Sequence, residues 1–201
     1  IAAHNYVPNT AARSLVTQRT RVLGLYIPHV VGDLFTDPYF PMLIQGISTH
    51  ANQREYDVLL WLHGSADQPT HQHRRVLDNR MADGLILAST SREDPLLDLL
   101  VGRSRPFVVN GRPWHHADAT NYVDATNVQG AQQAILHLAR LGRRRIATIA
   151  GRLELCSGYD RLMGYREGLA QADLPHTTQL EARGDFTESG GYTAMRRLWQ
   201  H

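Results

Sequence analysis

The stretch that decides the fold covers residues 22–61 and reads VLGLYIPHVVGDLFTDPYFPMLIQGISTHANQREYDVLLW. It begins with an apolar run at residues 22–27 and ends with another at residues 56–61, and both runs have the length of buried strands. Between them, residues 40–53 carry apolar side chains at helical spacing, which predicts an amphipathic helix. A strand, a helix and a strand in this order predict a βαβ unit with parallel strands.

The same alternation continues along the chain. Further strands are predicted where short apolar runs recur, at residues 84–88, 106–110, 121–124 and 145–150. Helices are predicted at residues 128–141 and 189–201, and a shorter one begins at Asp94-Pro95 and ends at Gly102. The polar residues 111–120 are predicted to form a loop, and a subdomain boundary is expected near Ala125. Because no strand follows the last helix, we expect the natural protein to continue beyond His201.

Composition limits the function classes. The chain has 201 residues, 42% of them apolar and 20% charged, which is typical of a globular protein with one or two domains. Cys156 is the single cysteine, so internal disulfides and cysteine-based metal cages are excluded. All 21 basic residues are arginine, but a net charge of +2 is too small to indicate nucleic-acid binding by itself. No apolar run approaches the roughly 18 residues that would span a bilayer.

Residues 5–18, NYVPNTAARSLVTQ, precede the first strand and have a different character. Pro8-Asn9 provides a helix start before an alanine-rich run. A helix this short is marginal in water, so we expect it to need a partner surface such as DNA or a second subunit. From spacing alone, an ordinary capped surface helix is the simpler interpretation.

This segment resembles the junction between the helix-turn-helix headpiece and the effector domain in the LacI/GalR family of bacterial transcriptional repressors, where the pattern is Y-x-P-N-x-x-A-R-S-L. Other segments resemble the same family in order: ADGLIL at 82–87, YVD at 122–124, IAGRLELCSGYDRLMGY at 149–165 and GDFTESGGY at 184–192. The resemblance implies an α/β fold with two flavodoxin-like parallel-sheet subdomains, arranged as in periplasmic binding proteins, with the second subdomain incomplete.

The resemblance also implies that residues 9–16 form a hinge helix, which folds when two copies enter the DNA minor groove side by side. Leu15 matches the leucine that opens a central base step and kinks the duplex. Asn9 would start this helix, while Ala12 and Arg13 would face the groove floor and the sugar-phosphate backbone. The implied domains are the end of the DNA-binding headpiece with the hinge at 1–19, an N-terminal effector-binding subdomain at 20–124 and a partial C-terminal one at 125–201.

Three candidate effector contacts lie after predicted strands, at the edge where open parallel sheets bind ligands. From sequence alone Tyr39 and Phe40 could be core aromatics. The resemblance implies that they border the effector pocket, where rings stack on a sugar face or a base. Ser89 would deliver a polar group to the cleft, although a solvated turn explains it equally well.

Three further candidates belong to the second half of the chain. Asp124 could accept hydrogen bonds from a ligand or cap the following helix. Arg161 matches the ligand-clamping arginine of the family, since a guanidinium offers two parallel donors to hydroxyls or a carboxylate; a surface arginine is the alternative. Ser157 stands where the family often has a serine or threonine in contact with the ligand. Phe186 is expected to border the pocket, with packing as its main role.

The resemblance implies a ligand-responsive repressor whose effector-binding domain senses a small metabolite, a sugar in preference to a nucleoside or purine, and controls operator DNA binding through the hinge. A homodimer and a cytoplasmic location are expected, without cofactor, metal or membrane. One alternative, a periplasmic sugar-binding protein for transport, has no use for NTAARSL before its first strand. The other, an α/β enzyme acting on a sugar or sugar phosphate, lacks a nucleophile elbow, a phosphate loop and a dinucleotide fingerprint, so no enzyme activity is expected.

Two histidine pairs have spacings that metal ligands use, namely His71 with His73 and His115 with His116. No cysteine or paired carboxylate stands beside them. We therefore expect solvated histidines rather than a metal site.

Overall fold

A computed structural model describes residue 17 and residues 19–30, 34, 36–63, 69–103 and 105–200. The predicted hinge residues Asn9, Ala12, Arg13 and Leu15 lie outside these described residues. Within them the chain forms two parallel sheets flanked by helices. We refer to the larger sheet with its helices as the N-lobe, and to the smaller sheet with its helices as the C-lobe.

The N-lobe alternates strands and helices along the chain. Its five described strands pair in the order β2-β1-β3-β4-β5, and each neighbouring pair is parallel. The elements are β1 (Val22–Val30), α1 (Tyr39–Asn52), β2 (Asp57–His63), α2 (Pro69–Asp78), β3 (Gly84–Ala88), α3 (Leu96–Val101), β4 (Phe107–Asn110) and β5 (Tyr122–Val123).

The C-lobe follows without a break. Its two described strands also pair in parallel, and its first two helices pack against each other. The elements are α4 (Asn127–Arg140), β6 (Thr148–Ala150), α5 (Cys156–Gln171), β7 (Glu181–Arg183) and α6 (Glu188–Leu198).

The inner strand β1 is covered on both faces. Leu25, Tyr26 and Ile27 are each fully buried. Because side chains alternate along a strand, Leu25 and Ile27 pack with Phe40 of α1 on one face. Tyr26 packs with Leu96 and the other apolar residues of α3 on the opposite face. Helices on both sides explain why the strand is apolar along its length rather than at alternate positions.

The predicted α/β fold with parallel sheets is confirmed, and most predicted strands lie within a few residues of the observed ones. The strand predicted at 145–150 is shorter and begins at Thr148, after the charged residues 143–145. Helices α2 and α5 and strand β7 were not predicted. Helix α5 contains three glycines, Gly158, Gly164 and Gly168, and glycine is unfavourable in helix interiors. Helix α2 is mostly polar, and β7 has three residues of which only Ala182 is buried, so neither carries a clear apolar pattern. The predicted loop at 111–120 contains a 3₁₀ turn, Ala117–Ala119.

Two glycines allow α4 and α5 to approach closely. A Cβ atom at Gly164 would meet the backbone oxygen of Val128 at 2.1 Å, and one at Gly168 would meet the Cβ of Ile135 at 2.7 Å. The two glycines are four residues apart, so they lie on the same face of α5. The helix spacing in the C-lobe therefore depends on positions that lack a side chain.

We expect Gly164→Ala to lower the free energy of unfolding by about 1–3 kcal/mol, because the added methyl group forces the two helices apart. The matched control is Gly130→Ala at an exposed position of α4, where a Cβ would meet nothing within 4 Å. That control should be neutral or stabilising by roughly 0.5–1 kcal/mol. Denaturant unfolding of the two variants measures the difference, and equal midpoints would contradict this account of the helix contact.

Asp83 holds the chain where it begins β1. Its Oδ1 accepts hydrogen bonds from Thr20 N at 2.6 Å and Thr20 Oγ1 at 2.7 Å, and its Oδ2 accepts one from Arg21 N at 3.0 Å. Burial raises the pKa of Asp83, but the hydrogen bonds from Thr20 and Arg21 outweigh burial, so the pKa is lowered below its usual value. The folded state thus favours the ionised carboxylate at this position.

Asp83→Asn is expected to destabilise the protein by about 1–3 kcal/mol near neutral pH, because an amide cannot accept all three hydrogen bonds. Since the folded pKa lies below the unfolded value, the stabilisation by Asp83 is present above the unfolded pKa and is lost as the pH falls through the folded one. The difference between variant and wild type should therefore shrink below about pH 4 in urea titrations. The exposed residue Asp118 supplies the control, and Asp118→Asn should leave stability nearly unchanged.

Candidate functional site

The carboxyl ends of the strands in the two lobes face each other. Arg92 N, which follows β3, donates a hydrogen bond to the backbone oxygen of Glu154 at 3.0 Å. Trp114 Nε1, which follows β4, donates to the same oxygen at 2.6 Å. Glu154 follows β6, so three strand ends meet at this carbonyl. Open parallel sheets bind ligands outside their carboxyl ends, so the space between these edges is the candidate site.

Tyr39 is the first residue of α1 and contributes its hydroxyl group to this space. The hydroxyl donates a hydrogen bond to Asn110 Oδ1 at 2.6 Å, while half of the residue remains exposed. Burial raises the pKa of this hydroxyl; Asp124 raises it further, and Arg161 lowers it. Asp124 and Arg161, predicted from two other segments, therefore both lie within electrostatic reach of the Tyr39 hydroxyl.

Phe40 lies one residue further and points into the N-lobe. It is 4% exposed and packs with the cluster that contains Leu25 and Ile27. Its ring stands edge-on to the ring of Tyr39, with the centroids 5.4 Å apart. Phe40 thus supports the tyrosine ring from behind through an edge-to-face contact.

Asp124, Asn127 and Arg161 form a chain of hydrogen bonds. Asp124 Oδ1 accepts from Asn127 Nδ2 at 3.1 Å and from Ala125 N at 2.9 Å. Asn127 Oδ1 in turn accepts from Arg161 Nε at 2.8 Å. Asn127 is 8% exposed and begins α4, so a buried amide orients the arginine.

A cavity of about 170 Å³ lies at the carboxyl ends of β6 and β7. Arg161 is exposed, and its Nη nitrogens have no hydrogen bond to the part of the chain that the structure describes. Two charged donors are thus available to hydroxyl or carboxylate oxygens. The cavity is lined by Thr148, Ile149, Ala150, Gly151, Arg161, Leu162, Gly184, Asp185, Phe186, Thr187 and Gly191.

Phe186 lies on the wall of this cavity in the left-handed region, with φ of 69°. Asp185 Oδ1 accepts from Thr187 N at 3.0 Å and from Thr187 Oγ1 at 2.6 Å, which fixes the turn around the ring. A Cβ atom at Gly151 would lie 2.0 Å from the ring, so glycine there makes room for it. A bulky residue held at positive φ is uncommon, and such strain concentrates at functional sites.

The two predicted serines lie near the facing edges of the two lobes, one after β3 and one after β6. Ser89 directly follows β3 and has φ of 55°, and Ser157 lies in the first turn of α5. Both are partly buried, and neither lines the 170 Å³ cavity.

The expectation of solvated histidines is wrong for His73. This residue is 3% exposed, and its Nε2 lies 3.2 Å from Asp94 Oδ1. It shares the inner face of α2 with Val76 and Leu77, three and four residues further on, and this explains its burial. His116 pairs with Asp98 at 2.8 Å. Across the described part of the chain, no three histidine, cysteine, aspartate or glutamate side chains are grouped as a metal site would require.

Cys156 begins α5 beside the site. Its side chain is 4% exposed, and burial raises the pKa of the thiol to about 11. Arg112 and Arg92 act in the opposite direction, but they do not offset burial. The thiol therefore stays protonated at neutral pH and is a poor nucleophile.

Alkylation of Cys156 by iodoacetamide at about pH 8 should be at least roughly a hundredfold slower than alkylation of a free cysteine, because little thiolate is present and the sulfur is covered. Intact-mass spectrometry over time measures the rate. Unfolding in guanidinium should restore ordinary reactivity. Equal rates in the folded and unfolded protein would contradict the assigned burial.

Sequence reasoning named Tyr39, Asp124 and Arg161, but it missed two residues that hold them. Asn127 stands next to the helix predicted at 128–141, and Asn110 ends the strand predicted at 106–110, but neither position by itself indicates a site residue. The sequence does show that both residues are polar and stand at the end of a strand or the start of a helix, where site residues of parallel sheets collect. Their partners could not be read from local pattern because they come from other elements.

The chain is similar to proteins of known class. The family described as periplasmic binding proteins and the sugar binding domain of the LacI family matches residues 23–201. The HTH-type transcriptional regulator CelR of Thermobifida fusca is 36% identical over 197 residues, which are 96% of this chain and 57% of that protein. The HTH-type transcriptional regulator MalR of Streptococcus pneumoniae is 31% identical and is matched over 98% of this chain and 60% of its own length.

A solved structure is similar as well. The complex of the transcriptional regulator CelR with cellobiose has a TM-score of 0.80 and 31% sequence identity, over 98% of this chain and 63% of that one. The chain thus spans about 57 to 60% of the length of these two curated relatives. None of the helices among the described residues has the length and apolar character needed to cross a membrane.

Proposed function

The chain belongs to the LacI family of sugar-binding domains and periplasmic binding proteins, and from this premise we propose that it is the effector-binding part of a sugar-responsive transcriptional repressor. The effector is a saccharide bound between the two lobes. Its binding changes the affinity of the protein for operator DNA.

The guanidinium of Arg161 carries the proposal. Its Nε is held by Asn127 at 2.8 Å, and its Nη nitrogens are directed to no other described residue. The guanidinium lines a cavity of about 170 Å³ next to the carboxyl ends of two parallel strands. A fixed pair of parallel donors suits two adjacent hydroxyl groups, which is the feature that saccharides repeat around their rings.

The other proposed contacts supply what a sugar ring needs. The ring of Phe186 offers an apolar surface for the C–H groups of a sugar face. Tyr39 offers a hydroxyl on the N-lobe side, and Asp124 offers a carboxylate that accepts hydrogen bonds from sugar hydroxyls. Ser89 and Ser157 are proposed to contact the ligand from the rim, and Phe40 to support the ring of Tyr39.

DNA binding is proposed for the other end of the chain. Residues 1–19 would contain the hinge helix, with Leu15 as the wedge in the minor groove and Asn9, Ala12 and Arg13 beside it. Residues 20–124 and 125–201 would be the two effector-binding subdomains. Two copies would act as a homodimer in the cytoplasm, where the operator is.

Neither alternative is favoured. The similar proteins described above are transcriptional regulators rather than enzymes or transport proteins. The one cysteine is buried with a raised pKa, which does not suit a nucleophile. We therefore propose a binding function without catalysis.

A thermal-shift screen with cellobiose, maltose, ribose and guanine tests the proposal. A saccharide at about 100 times its Kd adds about 2.7 kcal/mol of stability, which corresponds to a rise of roughly 5–10 °C in Tm. Arg161→Ala should weaken binding of that saccharide by about 3 kcal/mol, or roughly 100-fold in Kd, because two charged hydrogen bonds are lost.

Arg140→Ala is the control, because Arg140 is an exposed arginine in the last turn of the neighbouring α4. It should keep the wild-type shift. Two results would contradict the proposal: no tested saccharide raises Tm, or the full shift persists in Arg161→Ala.

A further inference from the structure

A second group of residues joins the lobes beside the proposed effector site. We refer to it as the cross-lobe cluster. It consists of Arg92, Arg112 and Trp114 from the loops after β3 and β4, of Glu154 from the loop after β6, and of Tyr159 and Asp160 from the first turns of α5.

The strongest contact in the cross-lobe cluster is the pair Arg112–Asp160. Arg112 Nε donates to Asp160 Oδ2 at 3.1 Å, and an Nη donates to Asp160 Oδ1 at 2.6 Å. The hydrogen bond with Asp160 raises the pKa of Arg112. Asp160 is 8% exposed, and among the described residues Arg112 is the cation that pairs with it. Two bonds from a planar fork fix the direction of approach as well as the distance.

The remaining contacts in the cluster meet at one carbonyl group. Glu154 O accepts from Trp114 Nε1 at 2.6 Å and from Arg92 N at 3.0 Å. The guanidinium of Arg92 lies 4.3 Å above the indole ring of Trp114, and the ring of Tyr159 stands edge-on to that indole at 5.2 Å. A cation over an indole ring is a favourable contact, and it orders both side chains.

The cluster lies directly next to the effector site. Asp124 acts electrostatically on Arg112, and both act on the thiol of Cys156. Asp160 and Arg161 are consecutive residues of α5, so their side chains diverge by about 100°. One of them binds the N-lobe, while the other faces Asn127 and the cavity. The position of α5 against the N-lobe therefore sets how far Arg161 lies from Tyr39.

We propose that Arg112 and Asp160 are positioning residues of the effector site, which join the two lobes before a ligand arrives and preset the separation of Tyr39 and Arg161. The effect of this pair on ligand binding rests on the proposed function, whereas its role in joining the lobes does not. A ligand that binds only the joined arrangement loses affinity in proportion to the fraction of molecules that leave it. The pair acts through the geometry of the site and not by touching the ligand.

The first test needs no ligand. The amide of Arg92 donates across the lobes, so its hydrogen exchange reports whether they are joined. In Arg112→Met this amide should exchange at least tenfold faster than in the wild type, and small-angle X-ray scattering should show a larger radius of gyration. Arg112→Lys keeps the charge but loses the fork, so an intermediate effect is expected in a variant that folds readily.

The chain offers a matched control in Arg166. Arg166 makes an equally bidentate pair with Glu181, at 2.7 Å for both bonds, but inside the C-lobe. The side-chain exposures also match: 40% and 14% for Arg166 and Glu181, and 35% and 11% for Arg112 and Asp160. Arg166→Met should lower Tm without changing exchange at Arg92.

The second test uses cellobiose as the probe in calorimetric titration. Its Kd should rise roughly tenfold in Arg112→Met and stay unchanged in Arg166→Met. If cellobiose does not bind the wild type, cellobiose is not the saccharide of the proposed function, and exchange at Arg92 alone decides on the pair. Unchanged exchange at Arg92 in both Arg112 variants would overturn the inference. So would an equal effect of Arg166→Met, because the pair would then act through stability alone.

Discussion

Parallel strands impose the arrangement on which the rest of the molecule depends. A parallel strand must be followed by a connection that returns the chain to its starting edge, so the carboxyl ends of all strands collect at one edge. Both lobes are built in this way. The segments after β3, β4 and β6 meet at the carbonyl of Glu154, so the carboxyl-end edges of the two sheets face each other. Segments far apart in sequence, around Tyr39, Asp124 and Arg161, are thereby brought to one place.

The burial of charged side chains between these edges determines which of them pair with each other and which remain available to a ligand. Asp160 is 8% exposed, and a carboxylate so deeply buried must be paired, which Arg112 does with two hydrogen bonds. Arg161, the next residue, is exposed and uses only its Nε within the described chain. Consecutive residues of α5 therefore have different roles: Asp160 binds the N-lobe, and Arg161 keeps its Nη donors for a ligand. A lysine at position 161 could not bind Asn127 with one donor and direct two others at a ligand in a fixed geometry, because an ammonium group is a point charge without a fixed fork.

The fold could be predicted from the sequence because its main signal is local. The apolar run that became β1 is buried on both faces, and a run of that length has few other uses. Helix α2 was missed because, among its side chains that the structure describes, the buried ones are His73, Val76 and Leu77, and they stand within a polar segment. The site depends on partners distant in sequence, such as Asn127 and Arg161, 34 residues apart, and Arg112 and Asp160, 48 residues apart. No periodic pattern reports such pairs, and the resemblance pointed to Arg161 but not to the residues that hold it.

The division of the site between two lobes limits how any effector could act. A ligand shifts an equilibrium only by the difference between its affinities for the two states. The 170 Å³ cavity is lined by the C-lobe alone, so a ligand that filled only this cavity would bind joined and separated lobes equally and would shift nothing. Regulation therefore requires the ligand to reach beyond the cavity to Tyr39, whose hydroxyl is held by Asn110 of the N-lobe. The cross-lobe cluster already holds the lobes in contact, so a ligand that bridges the cavity and Tyr39 would favour the joined state, and one that forces Tyr39 away would favour the opposite state.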